Sequence, residues 1–393
     1  MSKRLVVCCD GTWNFPDQQF PTNVTKVALA IARVDSKDTE QRTFYHRGIG
    51  SNRWERIRGG AFGFGLSRDV CDTYRFLVHN YEPGDELFFF GFSRGAFTAR
   101  STVGLVRNAG ILRQEHVDRV SEAYALYRSR TKTNTPRGRE ATLFRRSYSY
   151  EPRIRFIGVW DTVGALGIPL DGFRLISLLN KRWEFHDTEL STSVDAAYQA
   201  LAIDEKRGPF KPALWKTQEG AEDQHVEQVW FSGVHSDLGG GYPDHGLSDI
   251  ALLWMVDRAR TCGLEFREDA LVHARPPESE IDRGDAVRTC TWVEPNSLGE
   301  LHESRKGMYR KIPPFHRSPN FSKTTCESIA SSAVTRRTKD PEYAPPEFTS
   351  YLDNAEHSTP VEPWHTTDDA QPLSYDEVSA RTALSSSAAT RRG

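Results

Sequence analysis

Apolar residues in this chain fall in short runs. Leu5 to Cys9 and Leu87 to Phe90 are unbroken and are closed by Asp10 and Gly91; Phe156 to Trp160, interrupted only by Gly158, ends at Asp161, and the more mixed Val226 to Val234, with Val229, Trp230 and Phe231 at its centre, ends at His235. A strand buried on both faces of a parallel sheet needs such a run, whereas a half-exposed strand would alternate. A shorter run, Thr43 to His46, predicts a further strand. Between the runs lie stretches of helical spacing. Thr22 to Ala32 is one. Leu66 to Tyr81, with Val70, Tyr74, Leu77 and Val78 on one face, is another. The same spacing predicts a helix from residue 94 to about Asn108, ended by Ala109-Gly110, and helices over Ser193 to Ile203, Ser248 to Arg260 and Cys326 to Ala333. Strands alternating with helices predict an α/β fold: a doubly wound, mostly parallel sheet with helical insertions.

The run at Leu87 ends in Gly91-Phe92-Ser93-Arg94-Gly95. A G-x-S-x-G pentapeptide between a strand and a helix forms a tight turn that lifts the serine Oγ above the sheet, with Gly91 and Gly95 leaving room for the neighbouring backbone. The helix N-terminus behind Ser93 offers N–H groups and a partial positive charge to a developing oxyanion, Arg94 N–H first among them.

Two later runs end in the partners such a serine needs. Ile154 to Trp160 stops at Asp161, and an acid at the carboxyl end of a parallel strand faces the crevice of an open sheet. Val226 to Val234 opens into His235-Ser236-Asp237-Leu238-Gly239-Gly240-Gly241, a glycine-rich loop that leaves an imidazole unobstructed. The order Ser93, Asp161, His235 is the order of nucleophile, acid and base in α/β-hydrolases. At the first strand, Asp10-Gly11-Thr12 admits two readings. A phosphatase D-x-D-G-T motif would place its nucleophilic aspartate where Cys8 stands. The favoured reading is an oxyanion loop in which Gly11 or Thr12 donates an N–H and Asp10 holds the shape. A competing metal site would use His235, Asp237, Asp244 and His245, whose spacing fits no standard metal motif; in the favoured reading Asp237 supports His235.

Composition narrows the classes. The chain has 393 residues and a net charge of −2, so no basic field argues for nucleic acid. Of the six cysteines, Cys8, Cys9, Cys71, Cys262, Cys290 and Cys326, none forms a C-x-x-C pair, which predicts free thiols in a reducing compartment. Lys3 and Arg4 precede an apolar stretch too short for a signal peptide, and no run is long enough to span a membrane. A cytoplasmic protein is expected, meeting any membrane peripherally. Insertions are expected over about 112–150, polar and basic, and 164–190, apolar with Gly and Pro breaks. The second would be a lid over an acyl pocket or a core helix. Residues 1–348 would form the catalytic domain, and 349–393, rich in Ser, Thr, Ala and Asp, a disordered tail.

With these residues assembled, the chain resembles the α/β-hydrolases long catalogued as a domain of unknown function, a family that includes the catalytic domain of one class of type VI secretion phospholipase effectors. The matching stretches are Val7 to Asn14, Gly91 to Arg100, Phe156 to Gly164, Ala202 to Trp215 and Trp230 to Tyr242, with a weaker one from Glu327 to Pro346. The resemblance implies Ser93 as nucleophile, Asp161 as acid and His235 as base, no cofactor, and a lipid or small-molecule ester as substrate. The expectation is a serine hydrolase of carboxylic esters; the alternatives are metal-assisted hydrolysis and a non-catalytic interaction protein on a hydrolase fold.

Overall fold

The apolar runs assemble side by side. A computed structural model of the protein describes residues 2–11, 14, 18–48, 61–129, 131–163, 189–218, 220–221, 223–272, 291–319, 325–353 and 361–362. Its main strands are β1 (Arg4–Cys9), β2 (Gln41–His46), β3 (Glu86–Phe92), β4 (Ile154–Trp160), β5 (Val194–Ala202), β6 (His225–Phe231), β7 (Glu327–Ala330) and β8 (Val361–Glu362). They lie in the order β2-β1-β3-β4-β5-β6-β7-β8, with every neighbouring pair parallel. The helices are α1 (Asn23–Ala30), α2 (Ala61–Asn80), α3 (Arg94–Ala109), α4 (Val120–Arg128), α5 (Arg139–Tyr148), α6 (His235–Gly239), α7 (Gly246–Thr261), α8 (Ser331–Lys339) and α9 (Pro346–Asp353). A short antiparallel ladder, Ile111–Leu112 against Ser149–Tyr150, forms a separate sheet.

Alternation along β1 and β3 explains why their runs are unbroken. Val6, Cys8, Phe88 and Phe90 enter a core with Val24 and Val27 of α1 and Met255 and Val256 of α7. Leu5, Val7, Cys9, Leu87 and Phe89 enter the opposite core with Tyr74 and Leu77 of α2 and Ala99 and Val103 of α3. Both faces are covered, and each fully buried Phe contributes about 1.5–3 kcal/mol. Cys8 and Cys9 are buried on opposite faces as free thiols, and burial pushes the Cys9 thiol up to about 12. The chain visits β2 on one side of β1, then returns to β3 on the other. The winding therefore reverses between β1 and β3, and a crevice opens there at the strands' carboxyl ends.

Three sequence expectations change. Ser193 to Ile203 forms strand β5, not a helix. Ala196, Ala197, Ala200 and Ala202 sit between β4 and β6 and are buried, so tertiary position overrides the helix preference of alanine. Cys326 to Ala333 divides into β7 and the start of α8, because Ile329 is buried beside Trp230. The expected tail begins too early. α9 runs through Asp353, with Phe348 packed into a third core cluster beside Leu201 and Tyr343, and Val361–Glu362 extends the sheet beside β7. The rest of that tail and the segment 164–188, with the expected lid, lie outside the described residues. The basic insertion is helical, carrying α4 and α5. Val120, Ala123 and Phe144 bury themselves in the α2–α3 core, while Lys132, Arg137, Arg139 and Arg146 face solvent.

Candidate active site

Ser93 stands between the last residue of β3 and the first of α3. Its backbone is left-handed, φ 57° and ψ −120°, a conformation that costs a non-glycine residue of order 1–3 kcal/mol. The flanking glycines follow from close approach. A Cβ on Gly91 would lie 2.6 Å from Ala96 Cα, and one on Gly95 would lie 2.1 Å from the carbonyl oxygen of Cys9 and 2.4 Å from that of Asp10. Gly95→Ala must therefore push β1 from the turn. We expect it to lower the unfolding free energy by about 1–3 kcal/mol, measured as a lower urea midpoint; an unchanged midpoint would mean that the backbone contact relaxes freely.

The structure brings the three strand-end residues together. Nε2 of His235 lies 2.8 Å from Ser93 Oγ, and Nδ1 lies 2.6 Å from Asp161 Oδ2. An ionised Asp161 can only accept, so the imidazole proton belongs on Nδ1 and Nε2 accepts from the serine hydroxyl. Asp161 directly follows β4 and is also left-handed, φ 41°. His235 opens α6, a single helical turn where the sequence suggested a loop; the left-handed glycines Gly240 and Gly241 follow it. All three side chains are buried. Phe92 and Phe210 place their rings 4.7 and 4.9 Å from the imidazole.

Burial and charge set the protonation states. Burial alone would raise Asp161, but Arg317 and His235 outweigh it and hold the carboxyl well below the usual carboxylate range. Arg317 reaches Asp161 with both amino groups, at 2.6 Å to Oδ1 and 3.0 Å to Oδ2, and the Ala202 N–H donates to Oδ1 at 3.2 Å. His235 is pushed below its ordinary value, because burial prevails over the opposing pull of Asp161 and Glu205. The imidazole is therefore neutral near pH 7, as a general base must be. Glu205 accepts from the His235 backbone N–H at 3.3 Å, from Ser304 Oγ at 3.0 Å and from both ends of the Arg207 guanidinium at 2.8 Å.

Asp10 holds the turn after β1. Its carboxylate accepts from Thr22 Oγ1 at 2.6 Å, Tyr45 Oη at 2.7 Å and Thr25 Oγ1 at 3.0 Å. It also accepts the Gly11 N–H at 2.6 Å, which changes the expected oxyanion pair: that donor is already committed. Thr12 lies outside the described residues. The loop nonetheless abuts the serine, since a Cβ on Gly11 would meet Ser93 Cβ at 3.4 Å. At α3 the first helical bond runs from Phe97 N to Ser93 O, so the N–H groups of residues 94–96 precede the ladder.

The metal alternative dissolves into separate contacts. His235 faces Ser93 and Asp161. Asp237 accepts the Val234 N–H at 2.9 Å, anchoring the start of α6, and pairs with His302 at 2.7 Å. His245 pairs with Asp249, and Asp244 accepts the Gly246 N–H at 3.2 Å. Among the described residues no group of three or more His, Cys, Asp or Glu converges to hold a metal ion.

Sequence reasoning missed Arg317, Glu205 and His302. Glu205 lies in a charged corner after β5, and Arg317 and His302 lie beyond α7; the Arg310 to Pro319 stretch stands out only as basic and proline-rich. No local spacing places them beside the strand ends.

Comparison with known proteins puts this geometry in context. The family model described as T6SS, phospholipase effector Tle1-like, catalytic domain, matches residues 3–258. The uncharacterized protein YEL023C of Saccharomyces cerevisiae is 32% identical over 232 residues, 53% of this chain and 32% of that protein. An uncharacterized protein from Pseudomonas aeruginosa aligns at 16% identity and a TM-score of 0.39, over 74% of this chain and 49% of its own. The Tle1 effector bound to the VgrG spike of the type 6 secretion system aligns at 18% identity and a TM-score of 0.33, over 62% and 52%. This chain thus spans about a third of the yeast relative's length and about half of each solved one.

Proposed function

The chain belongs to the family of T6SS Tle1-like phospholipase effector catalytic domains, and on that premise we propose that it is a serine hydrolase cleaving carboxylic esters, with phospholipid-like lipid esters as its substrate class. The observation that carries the reading is the continuous line from Ser93 Oγ through His235 to Asp161, at 2.8 and 2.6 Å. Ser93 Oγ attacks the acyl carbonyl while His235 Nε2 takes its proton. Asp161 holds the imidazole in the Nδ1–H tautomer and stabilises the imidazolium. His235 then gives the proton to the leaving alcohol. A water molecule, deprotonated by His235, hydrolyses the acyl-enzyme and frees Ser93. The Arg94 N–H at the head of α3 is one oxyanion donor; with Gly11 committed to Asp10, Thr12 is the remaining candidate from the first loop. The mechanism calls on no cofactor. No helix of the described residues is long and apolar enough to cross a membrane. An anionic bilayer surface would be met by the exposed basic insertion.

The test is activity-based labelling. A fluorophosphonate should modify Ser93, identified by mass spectrometry, alongside turnover of short p-nitrophenyl esters and of phospholipid vesicles. Labelling should be level at neutral pH and fall in acid. Protonated His235 cannot accept the serine proton, and burial, opposed by Asp161 and Glu205 and aided by Arg207, puts its titration below the ordinary imidazole value. An adduct on another residue, or a labelling rate that rises as the pH falls, would sink the serine mechanism. No label and no ester turnover would favour a non-catalytic interaction protein.

A further inference from the structure

The segment 300–317 lies outside the family-matched residues 3–258, yet it closes over the base and acid of the site. His302 pairs with Asp237 at 2.7 Å, beneath the turn that carries His235. Ser304 donates to Glu205 at 3.0 Å. The Phe315 N–H donates to the Lys206 carbonyl at 2.8 Å, which brings the next residues alongside the end of β5. Arg317 completes the segment and is almost fully buried.

The Arg317 guanidinium is fixed from both sides. One amino group donates to Asp161 Oδ1 at 2.6 Å and to the Ala202 carbonyl at 2.9 Å. The other donates to Asp161 Oδ2 at 3.0 Å and to the Phe210 carbonyl at 2.5 Å. The fork therefore connects the residue after β4, the last residue of β5 and the backbone of Phe210, whose ring flanks His235.

The terminal torsion of an aspartate is broad, with no sharp staggered wells to hold the carboxylate plane. Rotation about it would swing Oδ2 away from His235 Nδ1. A planar, bidentate guanidinium removes that freedom, because both oxygens must stay in the plane of the fork. The Ala202 N–H at 3.2 Å could not do so alone, since it reaches only Oδ1.

Accepting the serine-hydrolase reading, on which this inference rests, we propose that Arg317 is a positioning residue: from a C-terminal strap beyond the family-matched region it locks the Asp161 carboxylate plane so that Oδ2 stays aligned on His235. Arg317 does not touch substrate. It acts on the rate through the geometry of Asp161 and leaves ester binding alone.

The experiment compares Arg317→Lys and Arg317→Ala with wild type in the full chain. The readouts are kcat and KM on a short p-nitrophenyl ester, the rate of fluorophosphonate labelling at Ser93, and rescue by free guanidinium at concentrations below those that unfold the protein. Arg317→Lys keeps the charge and loses the fork, so kcat should fall about 10-fold with KM within about twofold of wild type. Arg317→Ala should lose about 10²-fold in kcat, and free guanidinium should restore part of it by entering the vacated space. If Arg317→Ala does not fold, Arg317→Lys carries the test, being nearer in size and charge. Wild-type kcat and labelling rate in folded Arg317→Lys would overturn the proposal. So would a loss confined to KM, or one that tracks only the unfolded fraction. Failure of the wild-type protein to label at Ser93 is a separate outcome: it removes the hydrolase reading and the inference with it.

Discussion

Ser93→Ala is expected to abolish turnover and leave the protein folded. The substitution removes Oγ and keeps Cβ, so the left-handed backbone at this position, φ 57°, carries the same strain in both proteins. The structure loses one side-chain hydrogen bond, to His235, and Phe92 and Phe210 still hold the imidazole between them. A stability change within about 1 kcal/mol is expected for a single such bond. The loss of kcat on a short p-nitrophenyl ester should be on the order of 10⁴–10⁶. The residue of catalysis over water would come from substrate binding and the helix N-terminus alone. Activity retained in this variant, with the urea midpoint unmoved, would end the serine mechanism.

Asp161→Asn is expected to strike both activity and stability. The carboxylate accepts from four donors: both amino groups of Arg317, the Ala202 N–H and His235 Nδ1. An amide of the same shape has one oxygen. If that oxygen faces Ala202, the new NH₂ meets the His235 N–H, and the imidazole must take the wrong tautomer. If it faces His235, the NH₂ meets the Ala202 N–H and one amino group of Arg317. Kinetically, about 10⁴-fold should be lost from kcat, as follows when the orienting carboxylate of a triad becomes an amide. Thermodynamically, the buried Arg317 charge loses its counter-ion, which costs about 3–5 kcal/mol. Urea unfolding and steady-state kinetics on the same preparation would separate the two. An unchanged midpoint would show that Arg317 is not stabilised by Asp161, and an unchanged kcat would remove Asp161 from the acid role.

What the sequence made legible was local. An unbroken apolar run announces a strand with both faces covered, and the residue that ends it is placed on the sheet's working edge. Ser93, Asp161 and His235 each follow a run, so their convergence could be anticipated from order alone. The elbow glycines were equally legible, because the backbone approach they permit lies within the same turn or at the neighbouring strand end. β5 was not: its alanines favour a helix in isolation, and only its place between β4 and β6 makes it a strand. The commitment of Gly11 N–H to Asp10 depends on how one turn folds on itself, which spacing cannot report. Arg317 and His302 approach the acid and the base turn from far along the chain, and a sequence does not display closure over such distances.

That distance has a consequence in time. A chain emerging from the ribosome exposes Ser93, Asp161 and His235 well before Arg317, which follows His235 by about 80 residues, or several seconds of elongation. During that interval β6 has no neighbour on its outer side, since β7 is made later still, and the open edge of the growing sheet is available to other chains. The nascent protein therefore passes through a stage in which Ser93, Asp161 and His235 exist but Arg317 does not. Closure of the strap on Asp161 and the pairing of β7 on β6 can come only after that stage.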